Sequence, residues 1–137
     1  MSFERKKVLV IDDEPSIGRT YIKVLIECGF VARWAGDAQT ALNILIREDV
    51  NLVLLDIKMP GIDGKTMFEV IQEYDPLMKV VVSSVYPIDR QKELVPGAQD
   101  YFDKSQGLTV LLEKTANALF EPAAEMEIRK GCRFLAG

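Results

Sequence analysis

The sequence predicts an α/β fold of three layers, with a doubly wound, five-stranded parallel sheet between helices. Three observations lead there. Short apolar, β-branched runs alternate with segments whose apolar residues recur at helical spacing. One run, Asn51-Leu52-Val53-Leu54-Leu55, is apolar on both faces, as a central parallel strand should be. Several runs end in chemically active side chains, which is where open parallel sheets gather their ligands. A length of 137 residues, 48% of them apolar, suits one domain with one core.

Taken in order, residues 7–11 read as the first strand. Residues 15–28 read as a helix, with Pro15 near its first turn and Gly29 just past its end. Ile17, Tyr21, Val24, Leu25 and Cys28 share one face of it. Residues 31–35 form a second, less apolar strand. Asp37 is a good N-cap for a helix over 38–48 that turns Ala41, Leu42, Leu45 and Ile46 inward. The third strand is 51–55, and a helix over 64–74 stops near Asp75-Pro76. The fourth strand is 79–83. Pro87 and Pro96 then bracket Ile88 to Val95, leaving room for two helical turns, so the fourth helix is expected to be short. Residues 99–102 make the fifth strand. A last helix over 107–120 carries Leu108, Leu111, Leu112, Thr115 and Leu119 on one stripe. The domain is expected to be 1–120. Residues 121–137 form a charge-balanced tail, with a short helix over 122–130, that serves as linker, docking segment or dimer contact.

Composition excludes several classes of function. The net charge is −4, and Arg5-Lys6-Lys7 is the only basic run, so direct nucleic-acid binding is not expected. Two cysteines without Cys-x-x-Cys spacing, and no histidine, argue against a zinc site. Free thiols in a reducing cytosol are expected, and the apolar stretch after the basic start is too short for a secretory signal, so a cytoplasmic location is expected. No apolar run approaches a membrane span. A chain without histidine cannot supply a phosphohistidine or a histidine base of its own.

The strand ends carry the chemistry. Val8-Leu9-Val10-Ile11 leads into Asp12-Asp13-Glu14, and the third strand delivers Asp56 into a Pro/Gly loop. The fourth strand ends in Ser83-Ser84, and the fifth delivers Lys104. Acids before a helix N-terminus can serve its dipole alone. Joined to Asp56 they make a cation site the better reading, because three close carboxylates repel unless a cation intervenes. Mg²⁺, a hard ion that takes one or two carboxylates with waters and phosphate, suits them. Asp56 can act as a nucleophile and form an acyl phosphate. Lys104 and the Ser84 hydroxyl can then neutralise and bind phosphoryl oxygens.

Three motifs occur in order: Asp-Asp-Glu-Pro after the first strand, Asp-x-x-Met-Pro-x-x-Asp-Gly after the third, and Gly-Ala-x-Asp-Tyr-x-x-Lys around the fifth. With them the chain resembles the receiver domain of two-component response regulators, in a chemotaxis-regulator-like form, from about Lys6 to Phe120. The resemblance implies a flavodoxin-like sheet with strand order 2-1-3-4-5. It implies Asp56 as phosphoacceptor, Asp13 as direct metal ligand, Asp12 as an acid acting through water, and the Lys58 backbone carbonyl as a further ligand. It implies Ser84 and Lys104 as catalytic groups, with Ser84 and Tyr101 as the switch, Tyr101 turning inward as Ser84 moves to the phosphoryl group. The cofactor is Mg²⁺, with Mn²⁺ as a substitute. The donor is a phosphohistidine on a sensor histidine kinase or a histidine phosphotransfer protein. The chain would catalyse only its own phosphorylation and dephosphorylation, regulate an output partner, and allow a homodimer. Four departures stand out: Ser105 in place of the usual proline, Val85 in place of a small residue, a segment from Ser84 to Gly97 about two residues short, and Lys58 with Tyr86 at positions that tune phosphoryl lifetime. Two other readings remain: a non-phosphorylated interaction module of the same fold, and a Mg²⁺-dependent phosphohydrolase using Asp56. The second needs a general acid/base, for which Asp63 follows late in the loop.

Overall fold

The computed structural model describes residues 5–120 and 131–132. Strands β1 (Lys7–Ile11), β2 (Val31–Ala35) and β3 (Leu52–Leu55) are followed by a small hairpin of β4 (Lys58–Met59) and β5 (Ile62–Asp63), then by β6 (Lys79–Ser84) and β7 (Asp100–Asp103). The main sheet is parallel throughout, in the order β2-β1-β3-β6-β7. With the hairpin set aside, this is the expected order 2-1-3-4-5.

Alternation along the strands builds the layers. Val8 and Val10 of β1, Leu52 and Leu54 of β3, and Val81 face one core. Helices α1 (Pro15–Glu27) and α5 (Leu108–Leu119) cover it. Leu9, Ile11, Val53, Leu55 and Val80 face the other, under α2 (Ala38–Arg47) and α3 (Gly64–Tyr74). Helix α4 (Ile88–Leu94) covers Val82 and Tyr101. Its seven residues confirm that the fourth helix is short.

Local signals explain the ends. The Asp37 side chain accepts the Thr40 N–H at 2.8 Å, as an N-cap should. Asp63 does the same for Thr66 at 2.8 Å and so starts α3. Pro60 and Gly61, the latter at φ 83°, turn the hairpin, a conformation that glycine adopts without strain.

Two expectations are corrected. Ile46 is 65% exposed, and Ile44 packs on the core instead. Arg47 ends α2 there, and the helix presents Ala41, Leu42 and Leu45 to the sheet with Ile46 turned away. The cysteines are not free: Cys28, just past α1, is bonded to Cys132, and both are buried in the core beneath α1 and α5. The expected helix over 122–130 lies outside the described residues. Among the described residues no helix is long and apolar enough to cross a membrane.

Candidate functional site

The site forms where β1 and β3 run out together. Ile11 pairs with Leu55, and the Asp56 N–H donates to the Ile11 carbonyl at 2.9 Å. Asp12 and Asp56 are therefore the first residues past two adjacent ladders. Carboxylate oxygens of Asp12, Asp13 and Asp56 all lie within 4.8 Å of one another. Asp12 and Asp56 are buried, and Asp13 is open to solvent. This donor set, all hard oxygen with one exposed member, fits a small divalent cation that keeps waters on its open side.

Lys104 enters from the end of β7. Its Nζ donates to Asp12 Oδ2 at 2.7 Å and stands 3.6 Å from Asp56 Oδ2. Burial lowers its proton affinity, but the hydrogen bond to Asp12 and the charge of Asp56 outweigh that, and its pKa rises above the ordinary lysine value. One ammonium does not balance three acids. Burial is the first reason that Asp56 is pushed up to about 6, with Asp12 and Asp13 adding to it and Lys104 and the Lys58 N–H opposing. The notch holds more negative potential than its own residues neutralise, which a cation would relieve.

Asp12 is fixed on every side. Its N–H donates to Ala35 in β2 at 3.1 Å. Its Oδ1 accepts the Glu14 N–H at 3.0 Å, and its carbonyl accepts the Trp34 indole N–H at 2.8 Å.

The structure thus brings together Asp12, Asp13, Asp56 and Lys104. Lys58 lines a cleft of about 740 Å³ with Asp13, Met59, Thr66, Tyr86 and Leu94. Its ammonium sits 4.8 Å above the Tyr86 ring, a cation–π contact across the cleft. Ser84 is fully buried at the end of β6, and its Oγ accepts the Tyr86 N–H at 3.2 Å, within its own loop. Tyr101 stands apart from the acids. It is buried beside Ile57, Val82 and Val95, its hydroxyl donating to the Val95 carbonyl at 2.6 Å and accepting the Ala98 N–H at 3.2 Å. The ring lies inward, packed between the end of β6 and α4. The C-terminal end of the short α4 supplies the carbonyl that holds it there. Asp63 is committed to capping α3, and the Thr66 N–H holds its carboxyl below the usual range. It is poorly suited to the general acid/base role of a phosphohydrolase.

Two participants escaped sequence reasoning. Trp34 reaches the notch from an edge strand, and its signal was the lone glycine, Gly18, inside an otherwise regular helix. Gln91 is buried in α4 and ties the Ser84 loop to β7, donating to the carbonyls of Tyr86 at 2.7 Å and Phe102 at 2.9 Å. No sequence pattern marks it.

The chain is similar to known proteins in sequence and fold. The family model described as response regulator receiver domain matches residues 8–116. The transcriptional activator protein IrlR of Burkholderia pseudomallei is 32% identical over 114 residues, which are 82% of this chain and 50% of that protein. The probable transcriptional regulator ycf27 of Porphyridium aerugineum is 35% identical over 102 residues, 74% of this chain and 42% of that one. The chain therefore spans about half the length of these curated relatives. Among solved structures, the response regulator protein TrrA of Thermotoga maritima, in complex with Mg²⁺–BeF, is 32% identical with a TM-score of 0.76, covering 83% of this chain and 99% of that one. A CheY-like receiver domain protein of Methanospirillum hungatei is 26% identical with a TM-score of 0.79, covering 90% and 98%.

Proposed function

Because the chain belongs to the response regulator receiver domain family of two-component systems, we propose that Asp56 is its phosphoacceptor, charged from a partner's phosphohistidine and read out by a conformational change. Receiver domains interact with histidine kinases and output domains. The observation that carries the assignment is the convergence of the Asp12, Asp13 and Asp56 carboxylates within 4.8 Å of one another beside the half-buried Lys104.

The chemistry follows from position and charge. An Asp56 carboxylate oxygen attacks phosphorus, the P–N bond of the donor breaks, and the freed imidazole takes a proton. Asp12, Asp13 and Asp56, with the Lys58 carbonyl, would hold Mg²⁺, which supplies charge neutralisation at the transferred group. The Mg²⁺–BeF complex of the Thermotoga relative supports that choice of ion, and Mn²⁺ is proposed as a substitute. Lys104 would leave its ion pair with Asp56 and bind a phosphoryl oxygen. The Ser84 hydroxyl, which accepts the Tyr86 N–H, would donate its own proton to another phosphoryl oxygen. Ser84 and Tyr101 form the proposed switch. Catalysis is limited to the chain's own phosphorylation and dephosphorylation. The donor is a sensor histidine kinase or a histidine phosphotransfer protein, acting on a cytoplasmic domain that regulates a separate output partner, with homodimerisation part of the same proposal.

The test is intact mass after incubation with Mg²⁺ and acetyl phosphate. One added phosphoryl group is expected, absent from Asp56→Asn and absent when chelator replaces Mg²⁺. A gain that survives in Asp56→Asn would move the acceptor elsewhere.

A further inference from the structure

We propose that Trp34 is a positioning residue for the acidic notch: its indole N–H sets the peptide that joins Asp12 to Asp13. The inference rests on reading the three acids as a cation site.

Strand pairing ends one group too early to hold that peptide. The last bond from β1 to its neighbour β2 is the Asp12 N–H to Ala35, at 3.1 Å. The next polar group, the Asp12 carbonyl, has passed the end of the ladder and takes its donor from the Trp34 side chain at 2.8 Å. The Asp12 carbonyl and the Asp13 N–H belong to one rigid plane. Fixing the carbonyl direction therefore fixes where the Asp13 Cα stands. Asp13 is the exposed member of the triad, and no other hydrogen bond holds its side chain among those found in the described residues. Asp12, by contrast, has both carboxylate oxygens engaged, by the Glu14 N–H and Lys104.

The ring's position is built in. A Cβ on Gly18 would meet the indole Nε1 at 2.5 Å, and one on Gly36 would meet Cζ2 at 3.1 Å. Glycine is a poor helix former, yet Gly18 lies inside α1 because the indole crosses the helix there. A slot of two glycines holds a ring whose one polar atom points at the loop carrying the cation ligands. This is the relation by which groups behind a metal site orient its ligands and tune its affinity.

Trp34 is the only tryptophan in the chain, which makes the test site-specific. Biosynthetic replacement of tryptophan by 3-benzothienylalanine exchanges the N–H for sulfur and keeps the ring shape. Mg²⁺ affinity is measured by calorimetry. The benzothienyl protein should bind Mg²⁺ about 5- to 10-fold more weakly, with its Mg²⁺-free melting temperature within about 2 °C of the parent. Trp34→Phe, which keeps a ring in the slot, should move the same way and carries the comparison if the analogue protein does not fold. In the parent, the single indole ¹⁵N–¹H resonance should shift with Mg²⁺ at the calorimetric midpoint and stay fixed in Asp13→Asn. Affinity unchanged within about twofold in the analogue protein, with the parent binding normally, would overturn the positioning role and leave the cation site standing. A parent that binds no Mg²⁺ would overturn both.

Discussion

Asp56 holds its proton to about pH 6 in the native protein, against a reference value of 3.8. Between those values the native state binds more protons than the unfolded chain, so this group alone makes metal-free stability fall as pH rises. A cation needs the ionised form, so below about pH 6 it competes with a proton. The rise in melting temperature caused by Mg²⁺ should be small at about pH 5 and reach a plateau near pH 7.5; an increment independent of pH would show that Asp56 is not a ligand. The contact between Lys58 and Tyr86 across the mouth of the cleft gives a second expectation. It crowds the approach of a hydrolytic water, so the aspartyl phosphate should be long-lived. Tyr86→Ala should shorten its lifetime by about 3- to 10-fold, followed as loss of radiolabel after donor removal. The acids and Lys104 were legible in the sequence because they follow strand-like runs, and strand ends of a parallel sheet converge. Trp34 was not, since its contact crosses from β2 to the β1 loop and depends on a glycine in another element.

The element that carries the proposed switch is α4 with its two flanking loops. Gln91 gives its amide to carbonyls on both sides, Tyr86 before the helix and Phe102 in β7, while its own Oε1 is buried without a partner among the described residues. Gln91→Ala should cost about 1–3 kcal/mol, because the buried Phe102 carbonyl and the half-buried Tyr86 carbonyl then lose their donor, measurable by urea denaturation. Tyr101 rests inward, held by Val95 and Ala98. Tyr101→Ala should keep phosphorylation and weaken output; unchanged output would remove the ring from the mechanism. The sequence bounded α4 correctly through Pro87 and Pro96, since proline restricts helices locally. It concealed the β4–β5 hairpin because two-residue strands are too short to show a period of two. Ile46 misled for a related reason: near a helix end, spacing alone does not say which side of the stripe meets the sheet.

At the scale of the whole molecule, the layered order was legible because alternation in β1 and β3 divides the core in two. The Cys28–Cys132 bond was not. Two cysteines 104 positions apart carry no spacing signal, and the usual prior for a compartment favours thiols. A link across so long a segment restricts the unfolded chain strongly, so reduction and alkylation should lower stability by about 2–4 kcal/mol, read as a shift in the urea midpoint. An unchanged midpoint would mean that the cross-link does not form in solution. The same bond turns most of the polypeptide into a closed ring. A protease that cuts once anywhere between positions 28 and 132 would then release nothing: the nicked protein would keep its full mass on a non-reducing gel and fall into two pieces only when thiol is added.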